Sequence, residues 1–150
     1  MIYDIIYSCP EMQSSQIANR PHTGISYLCA YLKYKHLEAY YYRHRDLKTL
    51  SDYIDQLSAM NTLIYGFSVT DDTLDIVLVI AERLKQCKND AFILIGGALG
   101  KKEVAEYLLK FPFIDGVAIG EGEYSTEALI KELKAGKSPI NIPGLITLES

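Results

Sequence analysis

The sequence predicts a doubly wound α/β domain with a mainly parallel, five-stranded sheet. Short β-rich runs alternate with longer helical patterns from one end to the other, as repeated βαβ units require. The later strand-like runs are apolar without alternation, as strands covered on both faces must be. With 150 residues, 49% of them apolar and 23% charged, the chain has the size and composition of one globular domain that buries a core between a sheet and two helix layers.

The predicted strands are Ile2 to Tyr7, Ala39 to Tyr42, Thr62 to Phe67, Phe92 to Ile95 and Val117 to Ile119, with the last three forming the middle of the sheet. Between them, Gly24 to Lys35 carries Ile25, Leu28, Cys29 and Leu32 at helical spacing, and Leu47 to Ala59 carries Leu47, Leu50, Ile54 and Leu57 likewise. Asp71 or Asp72 is placed to cap a third helix running down to Lys85, whose acidic start and basic end suit the helix dipole. A fourth helix spans Lys102 to Lys110, and a fifth runs from about Ser125 to Lys134 before Gly136 ends it. The Tyr40, Tyr41, Tyr42 run reads as core and edge packing on a strand. Two stretches break the regularity. The connection from Ser8 to His22, about fifteen residues, is long for a strand-to-helix loop and reads as a binding loop. Residues 138–150, with two prolines and the short apolar run Gly144 to Leu148, read as a linker toward another domain.

Several function classes are disfavoured. A net charge of −4 and the lack of any long basic block leave no stripe for a phosphate backbone, so nucleic acid is not an expected partner. The apolar runs are far shorter than a membrane span and Met1 leads straight into a strand, so the expectation is a cytoplasmic chain with no membrane partner. Cys9, Cys29 and Cys87 are odd in number and widely separated, fitting neither a disulfide framework nor a zinc ribbon, and read mostly as buried thiols. His22, His36 and His44 have no acid or nucleophile at diagnostic spacing and read as surface or interface residues. No catalytic residue and no metal ligand is assigned.

Open parallel sheets bind ligands beyond the carboxyl ends of their strands. Ser68 and Thr70 follow the third strand, Gly96 and Gly97 the fourth, and Gly120, Glu121, Gly122 and Glu123 the fifth, so all these loops fall on one rim. Glycines there let backbone approach a bulky ligand, or else simply make tight turns. Gly120 to Ser125 is a near miss to a dinucleotide fingerprint, but Glu121 and Glu123 set carboxylates where a pyrophosphate needs bare N–H groups. They are better suited to accept hydrogen bonds from amides or hydroxyls, or to complement a helix dipole. Gly96 to Lys101 lacks the spacing of a triphosphate loop.

The rim segments, taken in order, resemble a known family. PHTGISYLCAYLK, IYGFSVT, FILIGG, IDGVAIGEGEYS and IPGLI are similar to the N-terminal cobalamin-binding domain of cobalamin-dependent radical S-adenosylmethionine enzymes, over nearly the whole chain. The resemblance implies a flavodoxin-like, Rossmann-like fold that holds cobalamin (vitamin B12, a cobalt cofactor). Ser68 and Thr70 would face its nucleotide tail, Gly96 and Gly97 would pass close to that tail, and Glu121 with Gly122 would meet the corrin amides. A side chain at Gly97 should then block the ligand and leave the fold intact. Ala98, Leu99 and Gly100 depart from the family, which often has Pro, His or Thr there. The Asp-x-His-x-x-Gly motif of histidine-ligating cobalamin domains is missing too: Arg20, His22 and Ile25 stand at its three positions. No histidine ligand to cobalt is therefore expected. The Cys-x-x-x-Cys-x-x-Cys motif of an iron–sulfur cluster is also lacking, so that cluster and S-adenosylmethionine would belong to a separate radical S-adenosylmethionine barrel domain. Two alternatives stay open: a degenerate, cofactor-free docking domain of the same fold, and a flavin-binding flavodoxin-like domain.

Overall fold

A computed structural model describes residues 2–10, 23–43, 49–97 and 101–149. The favoured binding loop after the first strand lies largely outside the described residues, as do His22, His44, Leu47 and Ala98, Leu99 and Gly100.

Apolar, β-branched and aromatic runs form β1 (Ile2–Ser8), β2 (Ala39–Tyr42), β3 (Asn61–Val69), β4 (Phe92–Gly97) and β5 (Gly116–Ala118). The amphipathic runs between them form α1 (Thr23–Tyr34), α2 (Leu50–Ser58), α3 (Leu74–Cys87), α4 (Lys102–Leu108) and α5 (Glu123–Lys134). A sixth strand, β6 (Leu145–Ile146), comes from the stretch read as linker. The order is β2-β1-β3-β4-β5-β6, parallel except for β6, which pairs antiparallel with β5. The sheet is therefore doubly wound and mainly parallel, with six strands where five were expected. Leu145 and Ile142 are buried, so this apolar run packs on the domain itself.

β3, β4 and β5 take interior positions in the sheet, as the sequence predicts, and β1 lies beside them, between β2 and β3. Asp4 is buried but satisfied: its carboxylate accepts the Glu38 N–H at 2.7 Å and pairs with Lys134 at 2.9 Å. With these partners a buried carboxylate is tolerated on an interior strand.

Alternate strand residues feed two cores. Tyr65, Phe67, Ile93, Ile95 and Val117 pack toward α2, α3 and α4, together with Leu57, Ile80 and Leu108. Ile64, Leu94 and Ala118 point the other way, toward Ile25 and Leu32 of α1 and Leu129 and Ile130 of α5. Tyr42 meets Tyr53 edge-on at 5.4 Å and Tyr40 lies against Tyr3 at 5.2 Å, the core and edge packing expected of the tyrosine run. The third helix starts differently from expectation. Asp71 and Asp72 sit in an exposed turn and Thr73 is the N-cap residue, its hydroxyl accepting the Thr70 N–H at 3.0 Å, which fixes the turn before the helix begins. Of the cysteines only Cys29 fits the reading of a buried thiol, Cys9 being half-buried and Cys87 exposed.

No helix among the described residues is long and apolar enough to cross a membrane.

Candidate ligand cavity

At the carboxyl ends of β1, β3, β4 and β5 a cavity of about 510 Å³ opens between the sheet and the helices α1 and α5. This is within the size range of small-molecule and cofactor sites. The chain reverses its winding direction between β1 and β3, where ligand crevices of open sheets form.

Small residues on one sheet face make the space. Gly96 has only the Ala118 methyl near the position its own Cβ would take, at 3.8 Å, so nothing fills the volume above it. Gly66 serves a different purpose. A Cβ there would stand 2.8 Å from Tyr7 Cδ1, so its absence lets the Tyr7 ring lie across the strand and form part of the cavity wall. The Tyr7 hydroxyl donates to Thr126 Oγ1 at 3.3 Å, and burial holds this phenol far above the ordinary tyrosine range, so it stays a protonated donor. Cys29, on the buried face of α1, is pushed up to about 11 by burial and serves as an inert apolar filler.

The rim is built by the β5–α5 loop. Gly120 and Gly122 both take positive φ, +84° and +85°, and Gly122 is the N-cap residue of α5. Thr126 N–H and Ser125 Oγ both donate to the Gly122 carbonyl, at 2.9 and 3.2 Å, which fixes the first turn. Ile119 N–H donates to the Gly144 carbonyl at 2.7 Å, so the segment leading into β6 braces the loop from behind. Glu121 and Glu123 are the only charged side chains among the described residues that line the cavity. Glu121 is exposed and Glu123 half-buried in the first turn of α5, where its charge also suits the helix dipole.

Of the residues singled out from the sequence, Ser68, Gly96, Gly97, Gly120, Glu121, Gly122 and Glu123 come together around this cavity. Thr70 does not line it. Thr70 is exposed, with its backbone N–H and hydroxyl both engaged with Thr73 at the start of α3. The expectation for Gly97 needs correction. With φ at +107°, a Cβ there would lie 2.9 Å from Ser68 Oγ and 3.0 Å from the backbone N and O of Val69. A side chain at this position strikes β3, so the fold does not survive it unchanged. Sequence reading passed over Tyr7, Ile25, Gly66, Leu94 and Thr126, which also line the cavity. A glycine inside the apolar run IYGFSV was the one available signal, since it marks a close approach within a strand.

No family model and no curated protein matches the chain. Solved structures do. The radical S-adenosylmethionine methyltransferase TsrM from Kitasatospora setae, with tryptophan substrate and a S-adenosylmethionine analogue bound, superposes with a TM-score of 0.76 at 16% identity, over 95% of this chain and 28% of that one. Its structure with cobalamin and a [4Fe-4S] cluster bound gives 0.75 at 16% identity, over 97% and 27%. The cobalamin-dependent S-adenosylmethionine radical enzyme OxsB gives 0.70 at 19% identity, over 95% and 20%. This chain shares their fold. It spans less than a third of the length of each of these chains, and at these identities the likeness is one of fold. Among the described residues no three His, Cys, Asp or Glu side chains cluster as a metal site would require.

Proposed function

We propose that the chain is a cobalamin-binding module of a radical S-adenosylmethionine enzyme, whose catalytic barrel is a separate domain. The observation that carries this is the cavity at the sheet's carboxyl edge, with a mainly apolar floor, a glycine-lined mouth and carboxylates only on its rim. These residues fit the cofactor. The corrin ring is edged with amide side chains, which donate well to Glu121 and Glu123. The open space over Gly96 and Gly120 admits a wide, flat group. The nucleotide tail would enter beside Ser68, Gly96 and Gly97. Bound cobalamin would supply a cobalt centre able to carry a methyl group or electrons, and this chain would hold and orient it. The lack of Asp-x-His-x-x-Gly means that the cofactor would be held without a histidine on cobalt.

A flavin nucleotide fits less well. Its terminal phosphate is a dianion, and no cationic side chain among the described residues lines the cavity to meet it, while two carboxylates oppose it. Titration with hydroxocobalamin beside flavin mononucleotide, followed by absorption, tests the assignment. Saturable binding of the corrinoid alone is expected, and failure to bind it would leave a cofactor-free docking domain as the better reading. Electron paramagnetic resonance of the cob(II)alamin complex tests the ligand. A base-off spectrum without nitrogen hyperfine splitting is expected, whereas splitting from a protein imidazole would overturn that part.

A further inference from the structure

The buried floor of the cavity has a composition that its rim does not share. The side chains of Ile25, Leu94 and Ala118 are apolar and between 1% and 7% exposed. The polar atoms contributed by buried cavity side chains are the hydroxyls of Tyr7 and Thr126, and these bond to each other at 3.3 Å. The floor therefore offers an incoming group mainly dispersion contacts, the Tyr7 ring among them, with the Tyr7 hydroxyl hydrogen already engaged by Thr126.

We infer that this floor selects the cofactor by its lower base, favouring a cobamide with dimethylbenzimidazole over one with adenine. The inference rests on the proposed cobalamin reading, with the nucleotide tail entering the cavity. Dimethylbenzimidazole presents two methyl groups on its leading edge and leaves little to hydrogen-bond there. Adenine presents ring nitrogens and an amino group on the corresponding edge. Buried against Ile25, Leu94 and Ala118, those groups lose water and find among the buried side chains only two hydroxyls, one of whose hydrogens is already held between them. A buried polar group left without a partner weakens binding by far more than the same group costs in water. The same cavity without any base should lose the contacts that the floor provides, so cobinamide, which lacks the nucleotide tail, should also bind more weakly.

The test is a titration of the full chain with hydroxocobalamin, the adenine-bearing cobamide and cobinamide, read by absorption or calorimetry at fixed salt. Hydroxocobalamin is expected to bind about ten- to hundredfold tighter than the adenine form, the range for leaving polar edges unpaired in an apolar pocket. Equal affinity for the two bases, with cobinamide weaker, would overturn the selection and leave the cobalamin reading standing. Equal affinity for all three would mean that the tail does not reach the floor, which overturns it as well. Binding of none would remove the cobalamin reading itself. Ala118→Ser supplies the second arm, since it adds a hydroxyl to the floor at almost constant volume. With folding checked by circular dichroism, it should narrow the preference between bases severalfold, and an unchanged ratio would show that the floor is not what reads the base.

Discussion

Ile95 and Gly96 are neighbours on β4 that face opposite sides of one sheet, and the two sides end differently. Toward α3 the odd-numbered positions carry Tyr65, Phe67, Val69, Ile93, Ile95 and Val117, all buried in a continuous core. Toward α1 and α5 the even-numbered positions at the same level carry Gly66, Ser68, Gly96 and Ala118, and a cavity stands where their side chains would have been. One face is filled and holds the fold, and on the other small residues leave a cavity. Large-to-small alternation on strands buried on both faces is what separates the two tasks.

The largest expected effect on folding comes from emptying the filled face. Ile95 is 1% exposed and belongs to the α3-side core, so Ile95→Ala should lower stability by about 2 to 5 kcal/mol, the range for truncating a buried isoleucine. Urea titration measures it. Near-neutral behaviour would mean that the two faces are less different than their packing implies.

Gly97 comes next, because it belongs to the connection between the faces and not to the empty one. Gly97→Val forces a branched side chain onto a positive φ and against the Val69 backbone 3.0 Å away. A loss of about 1 to 3 kcal/mol is expected, as for other strained backbone positions. A variant as stable as the parent would show that β3 and β4 can part at their ends without cost.

Gly96→Val is the converse of the first change. Its new methyl groups enter the cavity, the nearest neighbour being the Ala118 methyl, and stability should stay within about 1 kcal/mol, valine being a better strand residue than glycine. Corrinoid affinity should fall at least about tenfold, since the volume is filled. Undiminished affinity would place the ligand elsewhere on the rim.

How much of this was legible in the sequence follows from the same contrast. Runs such as FILI and the helical spacing of Leu74, Val77, Leu78 and Ala81 report the filled face, because burial on both sides leaves a strong apolar signal. The rim glycines were legible as well, since glycine pairs after strands are rare without a backbone reason. The floor was harder to find. Tyr7 and Leu94 look like any strand residues, and only the fold sets Tyr7 against Thr126, far along the chain. β6 was hidden by its length: the two residues Leu145 and Ile146, between Pro143 and the end of the chain, carry no periodicity that could mark a strand. The burial of Asp4 on β1 was not legible either, since it depends on a backbone N–H and a lysine from other elements.

The smallest effect on folding is expected at Glu121, and it separates the rim from the helix beneath it. Glu121 precedes the N-cap residue Gly122, and Glu123 already supplies the acidic charge of the first turn of α5. If Glu121 acted only on the helix dipole, Glu121→Gln would cost a few tenths of a kcal/mol to about 1 kcal/mol in folding and almost nothing in affinity. Its exposure argues for the opposite pattern, because an exposed carboxylate at a cavity mouth is free to meet donors on a bound group. The glutamine keeps the shape and exchanges one acceptor oxygen for a donor nitrogen. Affinity for hydroxocobalamin should therefore fall by about 1 to 3 kcal/mol, the range for a charged hydrogen bond, with stability changed by about 0.5 kcal/mol or less. Paired titration and urea denaturation of the same variant distinguish the two patterns, and a variant that loses stability yet binds as tightly as the parent would assign Glu121 to the helix and leave the rim to backbone donors alone.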